Sequence, residues 1–323
     1  MTRFLLRRLG FGVVVVWLVA TAVFGLFFFG SAASTAAALC GPRCTPDQLA
    51  QVRVRFGLDS PVAAQYAHFL ARIAHLDLGR SSRLDVPVLT RIASSLAPTA
   101  SLVVGAAVLW MLAGVGAGVA AARRPGSWRD RTVTVAALTT LSVPTFVVGM
   151  LLVYAFYLMP RKLGFVGLPA TGYVPLTGSK GSPGQWLSHL VLPWCSLAIV
   201  SAGVYARLTR AAVLSALGED FVRTATAKGI SARRVAFRHA LPAGAPGILT
   251  IFGVDVGTLL GGAVVIEQLF NLHGLGQEAI DALQAGDRPM IMGLVLFGTL
   301  AIVVMSLVVD VLHARLDPRV TLG

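Results

Sequence analysis

Six long stretches of the chain are apolar on every side rather than along one stripe: residues 9–30, 96–122, 132–158, 186–206, 246–267 and 290–312. A helix needs about 20 mainly apolar residues to cross roughly 30 Å of hydrocarbon, so each stretch is long enough to span a bilayer. A surface helix of a soluble protein keeps one polar face, which these lack. Between the first two stretches the pattern changes. Pro46 to Phe56 and Pro61 to Leu78 carry apolar residues at a helical period, with Ala64, Phe69 and Ile73 among them, and predict short amphipathic helices. The expected fold is an all-α integral membrane protein with about six transmembrane helices and a small helical extracytoplasmic cap. It divides into an N-terminal helix plus cap region (1–95), a five-helix core (96–312) with a large cytoplasmic loop at 207–245, and a cytoplasmic tail (313–323). No internal repeat or low-complexity tract is evident.

Composition excludes the main alternative solvent. Of 323 residues 13% are charged and 56% hydrophobic, with a mean hydropathy of +0.77, whereas a soluble domain carries roughly a quarter charged residues. The net charge of +13 would suggest nucleic acid only if the cations shared one soluble face. Here they sit between apolar stretches, where Lys and Arg set membrane topology, so the expected partner is the lipid bilayer and no nucleic acid. Three cations precede the first span, four lie in 123–131, seven in 207–245 and two in the tail. The alternate loops hold three in 159–185 and one in 268–289, with seven more in 31–95, a loop long enough to escape the charge rule. Both termini are therefore expected in the cytoplasm. The first span could also be a secretory signal, since Arg3, Arg7 and Arg8 precede it. Its length, and the bulky Leu39 before Cys40, favour a retained helix.

Cys40, Cys44 and Cys195 make neither a zinc site nor a disulfide framework, and Cys195 reads as a small apolar filler. The run Cys40-Gly41-Pro42-Arg43-Cys44 falls on the outer side, which permits oxidation. Two readings stand, a disulfide or two free thiols, because a bridge across three residues needs a tight turn. No metal site is expected.

The cytoplasmic loop carries the most chemistry. Glu219 and Asp220 are acidic N-cap candidates for a short helix that ends at Lys228-Gly229. Ser231 then caps a second helix, Ala232 to Leu241, in which Arg233, Arg234 and Arg238 alternate with Val235, Phe237 and Leu241 before Pro242 ends it. A basic helix-turn-helix between two spans is by default a solvated loop. The spacing here is more particular: Arg223-Thr224-Ala225, three residues, Gly229, nine residues, then His239-Ala240-Leu241-Pro242. It resembles the EAA loop of binding-protein-dependent permeases of ATP-binding-cassette importers. Asp220-Phe221-Val222-Arg223-Thr224-Ala225 with Ala227-Lys228-Gly229 and Arg238-His239-Ala240-Leu241 resembles the dipeptide, oligopeptide and nickel branch, where Arg223 at the usual Glu position is habitual. Further stretches resemble its B-type permeases: Arg3 to Arg8, Phe56 to Asp59, Asp77 to Ser81, Gly126 to Asp130, Gly261 to Glu267 and Leu316 to Arg319. Pro242 and Asp255 depart from that branch, which more often has Arg and a neutral polar residue there.

The resemblance implies a type I importer permease fold. It also implies a heterodimer with a second homologous permease, two cytoplasmic ATPase subunits holding ATP and magnesium, and an extracytoplasmic solute-binding protein. Peptides are the expected substrate class, with nickel chelates, haem and oligosaccharides as alternatives. The ATPase-coupling residues are then Glu219, Asp220, Phe221, Arg223, Thr224, Ala225, Lys228, Gly229, Arg233, Arg238, His239, Leu241 and Pro242. The chain has no phosphate-binding Gly-x-x-x-x-Gly-Lys-Ser/Thr loop, since Lys180 and Lys228 lack its glycines and hydroxyl. It is expected to be a transport subunit without catalytic residues or a cofactor of its own.

The competing class is a secondary transporter or channel not powered by ATP, whose sign would be intramembrane ionisable residues and repeats. Only Asp255 lies clearly inside a span. A membrane enzyme is the third reading, but the six histidines are scattered without metal spacing or a nucleophile-base pair. Asp255 either is protonated or hydrogen-bonded to a neighbouring helix, or lines the water-filled path, with Gly253 and Gly257 leaving room beside it.

Overall fold

The computed structural model describes residues 2–28, 32–41, 44–178 and 181–316. The sequence readings at Gly30, Pro42, Arg43, Lys180, Asp317, Pro318 and Arg319 lie outside the described residues. Among the described residues every regular element is a helix, and one antiparallel bridge joins Arg80 to Pro87.

The first span, α1 (Thr2–Phe28), leads into three cap helices, α2 (Ala32–Cys40), α3 (Pro46–Phe56) and α4 (Val62–Ala74). Thr45 caps α3 with a full capping box to Gln48, Pro46 occupies its first turn, and Gly57 closes it in the left-handed region. The cap packs on the first and last spans. Phe69 of α4 stacks against Phe24 and Phe28 of α1, the Tyr66 and Thr21 hydroxyls meet at 2.7 Å, and Met292 and Leu296 complete the cluster. Ala64, expected among the apolar positions, is exposed, because the buried stripe of α4 runs through Tyr66, Phe69, Leu70 and Ile73.

The core begins with α5 (Val88–Ala122), two turns earlier than expected. Then come α6 (Trp128–Ser142) and α7 (Thr145–Val153), the latter continuing through a π-turn at Tyr154–Leu158 into α8 (Met159–Lys162). The stretch expected as one span over 132–158 is therefore a bent pair, turned by 97° between Ser142 and Thr145. Pro144 is the cause: the residue before a proline is driven out of the helical region, and Val143 is extended. Next, α9 (Pro183–Leu217) packs along α5 from Ser101 to Ala122, while Val88 and Ile92 at the start of α5 pack with Leu275 and Met290. On α5, Gly105 meets Trp194, Gly114 meets Ala202, and Gly118 meets Ala206 and Thr209, so the two helices run parallel. An ideal Cβ on Gly114 or Gly118 would lie within 3 Å of the α9 backbone, the close approach that small residues four apart permit between membrane helices.

The loop helices α10 (Asp220–Ala227) and α11 (Ala232–Val235) precede a second π-turn, Ala236–Ala240, and α12 (Leu241–Leu260). Pro242 does not end the helix that Ser231 begins, as the sequence suggested. Residues 232–260 form one continuous helix. The Leu241 N–H reaches back five residues to the Ala236 carbonyl, and this wider turn accommodates the missing N–H and the ring of Pro242. The first π-turn has the same design, with the Met159 N–H bonded to the Tyr154 carbonyl just ahead of Pro160.

After Gly261-Gly262 the chain leaves the helix, earlier than the expected limit of 267, and forms α13 (Val264–Leu269), α14 (Leu275–Ala285) and the last span, α15 (Arg288–Leu316). Glu267 is fully buried. The Thr99 hydroxyl donates to it at 2.6 Å and the Gln277 N–H at 3.0 Å, while the same Thr99 oxygen accepts from the Leu275 N–H. This latch fastens the α13–α14 segment to α5. At the start of α15, Asp287 accepts from the Ser81 hydroxyl and from the backbone N–H groups of Ser82, Arg83 and Met290, tying the 80–87 loop to the last span. At the other end of the molecule Arg8 of α1 pairs with Asp310 of α15 at 3.1 Å.

Candidate coupling surface and translocation path

Helix α10 has one apolar edge. Val222 and Ala225 are buried against Val235 of α11, with Leu217 and Ile230 closing a small core of its own. The turn between the helices depends on Gly229, whose φ of +78° lies in the left-handed region, and its N–H bonds the Thr226 carbonyl. An added Cβ would meet nothing there, so the requirement is set by the backbone. Neither Glu219 nor Ser231 makes a side-chain cap hydrogen bond, although both hold the extended cap conformation.

The expected coupling residues separate into two groups. Glu219, Asp220, Phe221, Arg223, Thr224, Lys228, Gly229, Arg233, Arg238 and Pro242 are exposed. Ala225 is buried, Leu241 packs into the core of the bundle, and His239 is half-buried, so these three support the loop instead of facing a partner. Arg234 and Phe237 join the exposed group. The outward surface thus presents Phe221 and Phe237 among five basic side chains from Arg223, Lys228, Arg233, Arg234 and Arg238. Of these, Arg223 alone is paired, at 3.3 Å to the exposed Asp220.

Sequence reasoning missed the base of this surface. Val119 and Ala122 of α5, Val213 and Ala216 of α9, and Ala236 and Ala240 of the π-turn form one buried cluster. Beside it, Asp130 of α6 takes both guanidinium contacts of Arg210 of α9, at 2.5 and 2.8 Å, and accepts from the Gly126 N–H at 2.9 Å. Asp130 is buried and Arg210 about two-thirds buried, so α6 is clamped to the helix that leads into the loop. The Gly126 to Asp130 stretch stood out in the sequence, but its partner eighty residues away did not.

Helix α12 has three faces. Gly253 and Gly257 meet α15, where an added Cβ would lie 2.3 Å from Val309 and 2.9 Å from the Ile302 backbone. They therefore do not leave room beside Asp255; α15 fills that space. Ile248, Phe252 and Val256 face the core. Gly247, Thr250, Ile251, Val254 and Thr258 form the exposed stripe, and Asp255 sits half-buried at its edge, accepting a hydrogen bond from Tyr205 of α9 at 2.8 Å. In the segment joining α2 to α3, Cys40 and Cys44 are joined in a disulfide with Cα atoms 5.5 Å apart. Among the described residues no group of three or more metal-ligating side chains occurs.

The geometry is that of an all-helical bundle of apolar spans, with an exposed basic helix pair between two of them. Residues 114–322 match the family described as binding-protein-dependent transport system inner membrane component, and residues 1–103 match its N-terminal membrane component. The chain belongs to this family. It is 37% identical over 320 residues to a putative peptide transport system permease protein of Brucella abortus, covering 99% of both chains. A probable peptide ABC transporter permease protein of Sinorhizobium fredii is 35% identical over 98% of each. The glutathione transport system permease protein GsiC of Salmonella typhimurium is 33% identical over 99% of each. The chain is thus a multi-pass permease subunit of an ATP-binding-cassette importer, a transport subunit that works with ATPase and solute-binding components.

Proposed function

We propose that this chain is one half of a heterodimeric permease that imports peptides or similar small solutes, with both termini in the cytoplasm. Two ATPase subunits dock on the 219–241 loop, and ATP and magnesium belong to them. A solute-binding protein delivers cargo at the cap side. The observation that carries the reading is the loop itself: a helix pair with its own small core, buttressed by α5 and α9, presenting Phe221 and Phe237 among unpaired cations. An ATPase that contacts this surface differently in two states shifts the permease between inward-open and outward-open forms. Because α11 continues into α12 without a break, a push on the loop is transmitted along one helix to the stripe that carries Thr250, Val254 and Thr258.

The peptide assignment rests on the names of the two peptide-system relatives and the glutathione permease. Reconstitution of the full complex in liposomes with a panel of di- and tripeptides, nickel chelates, haem and oligosaccharides tests it. Stimulation of ATP hydrolysis and uptake by peptides alone is the expected result. Stimulation by another class, with peptides inert, would reassign the substrate.

A further inference from the structure

Asp255 is an acidic side chain in the interior of a membrane span, where ionisable groups are costly and face protein or water. Its orientation is fixed from two sides. Gly253 and Gly257 press the opposite face of α12 onto α15, so Asp255 is turned away from α15. Tyr205 is fully buried, its ring 6.1 Å from that of the equally buried Trp110, and its hydroxyl donates to one oxygen of Asp255 at 2.8 Å. Among the described residues the second oxygen has no hydrogen-bond partner and no ion pair includes Asp255. A carboxylate held by one neutral hydroxyl is electrostatically incomplete in a low-dielectric setting and is matched by a cation with N–H donors.

The surface beside it is the one that water or cargo would reach. The exposed stripe of α12 carries the hydroxyls of Thr250 and Thr258 and the bare backbone of Gly247 beside the apolar Ile251 and Val254. On α15 the exposed side chains between Met290 and Leu312 are Val295, Leu300, Ile302, Val304, Val308 and Leu312, all apolar as contact with lipid requires. Both threonine hydroxyls donate to carbonyls of their own helix, so they can offer a ligand only neutral acceptors, whereas Asp255 is the acidic group at this edge.

We infer that Asp255, oriented by Tyr205, is an intramembrane binding site for a side-chain ammonium group of the solute in transit, as distinct from the α-ammonium that every peptide carries, and that it biases this importer toward cationic over anionic cargo. The inference rests on the importer reading above and deepens it. Asp255 would touch the substrate; Tyr205 is a positioning residue that holds one oxygen so that the other faces the stripe. Nothing covalent is required.

The test uses the complete reconstituted importer and two tripeptide probes that differ in one side chain, one containing lysine and one containing glutamate. One binding protein serves every permease variant, so a changed lysine-to-glutamate uptake ratio arises in the membrane. Asp255→Asn keeps the shape of the side chain and is expected to lower that ratio by about tenfold, the scale of one charged hydrogen bond. Tyr205→Phe leaves the charge but frees the carboxylate and is expected to lower the ratio by a smaller factor. Asp255→Glu should restore part of the preference. Equal uptake losses for both probes, or no loss, would overturn the site and leave Asp255 as a packing residue. Absence of ATP-driven uptake of either probe by the parent complex would instead count against the importer reading itself.

Discussion

The Asp130–Arg210 pair shows what a single contact contributes at this end of the molecule. Removing one partner of a buried pair leaves an uncompensated charge and costs about 3–5 kcal/mol. Arg210→Ala is therefore expected to lower the apparent unfolding midpoint of the detergent-purified protein by at least about 5 °C. Replacing both residues, as Asp130→Leu with Arg210→Met, should recover most of that loss, because two apolar side chains strand no charge. Thermal unfolding of the three variants checks this, and an unchanged midpoint in Arg210→Ala would show that the clamp does not hold α6. Residue-level features were legible where the chemistry is local. Gly229 was identified as a helix stop and does adopt a positive φ. Asp130 was part of a noticed stretch, yet its partner is eighty positions away, and no periodicity encodes such a pairing. Gly253 and Gly257 were visible but assigned to the wrong neighbour: their spacing of four signals close helix packing, whereas the adjacent Asp255 suggested a path.

At the scale of elements, hydropathy located the spans, because a bilayer-crossing helix must satisfy its backbone internally and be apolar all round. It could not foresee how prolines would be absorbed. Pro144 breaks a span, Pro98, Pro193 and Pro246 lie inside helices, and Pro160 and Pro242 each stand two residues beyond the end of a π-turn. The outcome depends on whether neighbouring helices re-satisfy the freed carbonyls, which is tertiary information. The α10–α11 pair gives the sharpest prediction at this scale. Its core consists of Val222, Ala225 and Val235 with two half-buried neighbours, so Ala225→Glu would bury a carboxylate with no cation beside it in that core. Gly229→Leu forces a branched side chain into the left-handed region, at a cost of about 1–2 kcal/mol. Both variants are expected to insert normally, since the spans are untouched, and to reduce substrate-stimulated ATP hydrolysis of the reconstituted complex to near its unstimulated level. Full coupling in both would dissociate the 219–241 loop from the ATPases. An exposed change such as Thr226→Ala serves as the control for the purification.

For the whole molecule, the open question of topology is whether the bent pair α6–α7 crosses the membrane or turns back within it. Two arrangements in the structure bear on it independently. Helices α5 and α9 run parallel along their length, with Gly105 beside Trp194 at one end and Gly118 beside Thr209 at the other. Two parallel spans need an odd number of crossings between them, and α6–α7 is the apolar segment available. Likewise Arg8 near the start of α1 pairs with Asp310 near the end of α15, while Gly12 meets Val303, so the chain returns to the side from which it began. That requires an even number of crossings, and five straight helices supply an even total only if the bent pair adds a sixth. The segments on either side of the pair must then lie on opposite faces, and the charge rule predicts the basic 123–131 turn inside. In a variant with Cys40, Cys44 and Cys195 replaced by serine, Val166→Cys is expected to react with a membrane-impermeant maleimide in intact cells. Trp128→Cys should react only after permeabilisation, and Leu84→Cys in the 80–87 loop should behave like Val166→Cys. All three positions are exposed, so shielding by the protein itself does not decide the outcome. Labelling of residues 128 and 166 from the same side would make the pair re-entrant and would contradict the parallel packing of α5 on α9.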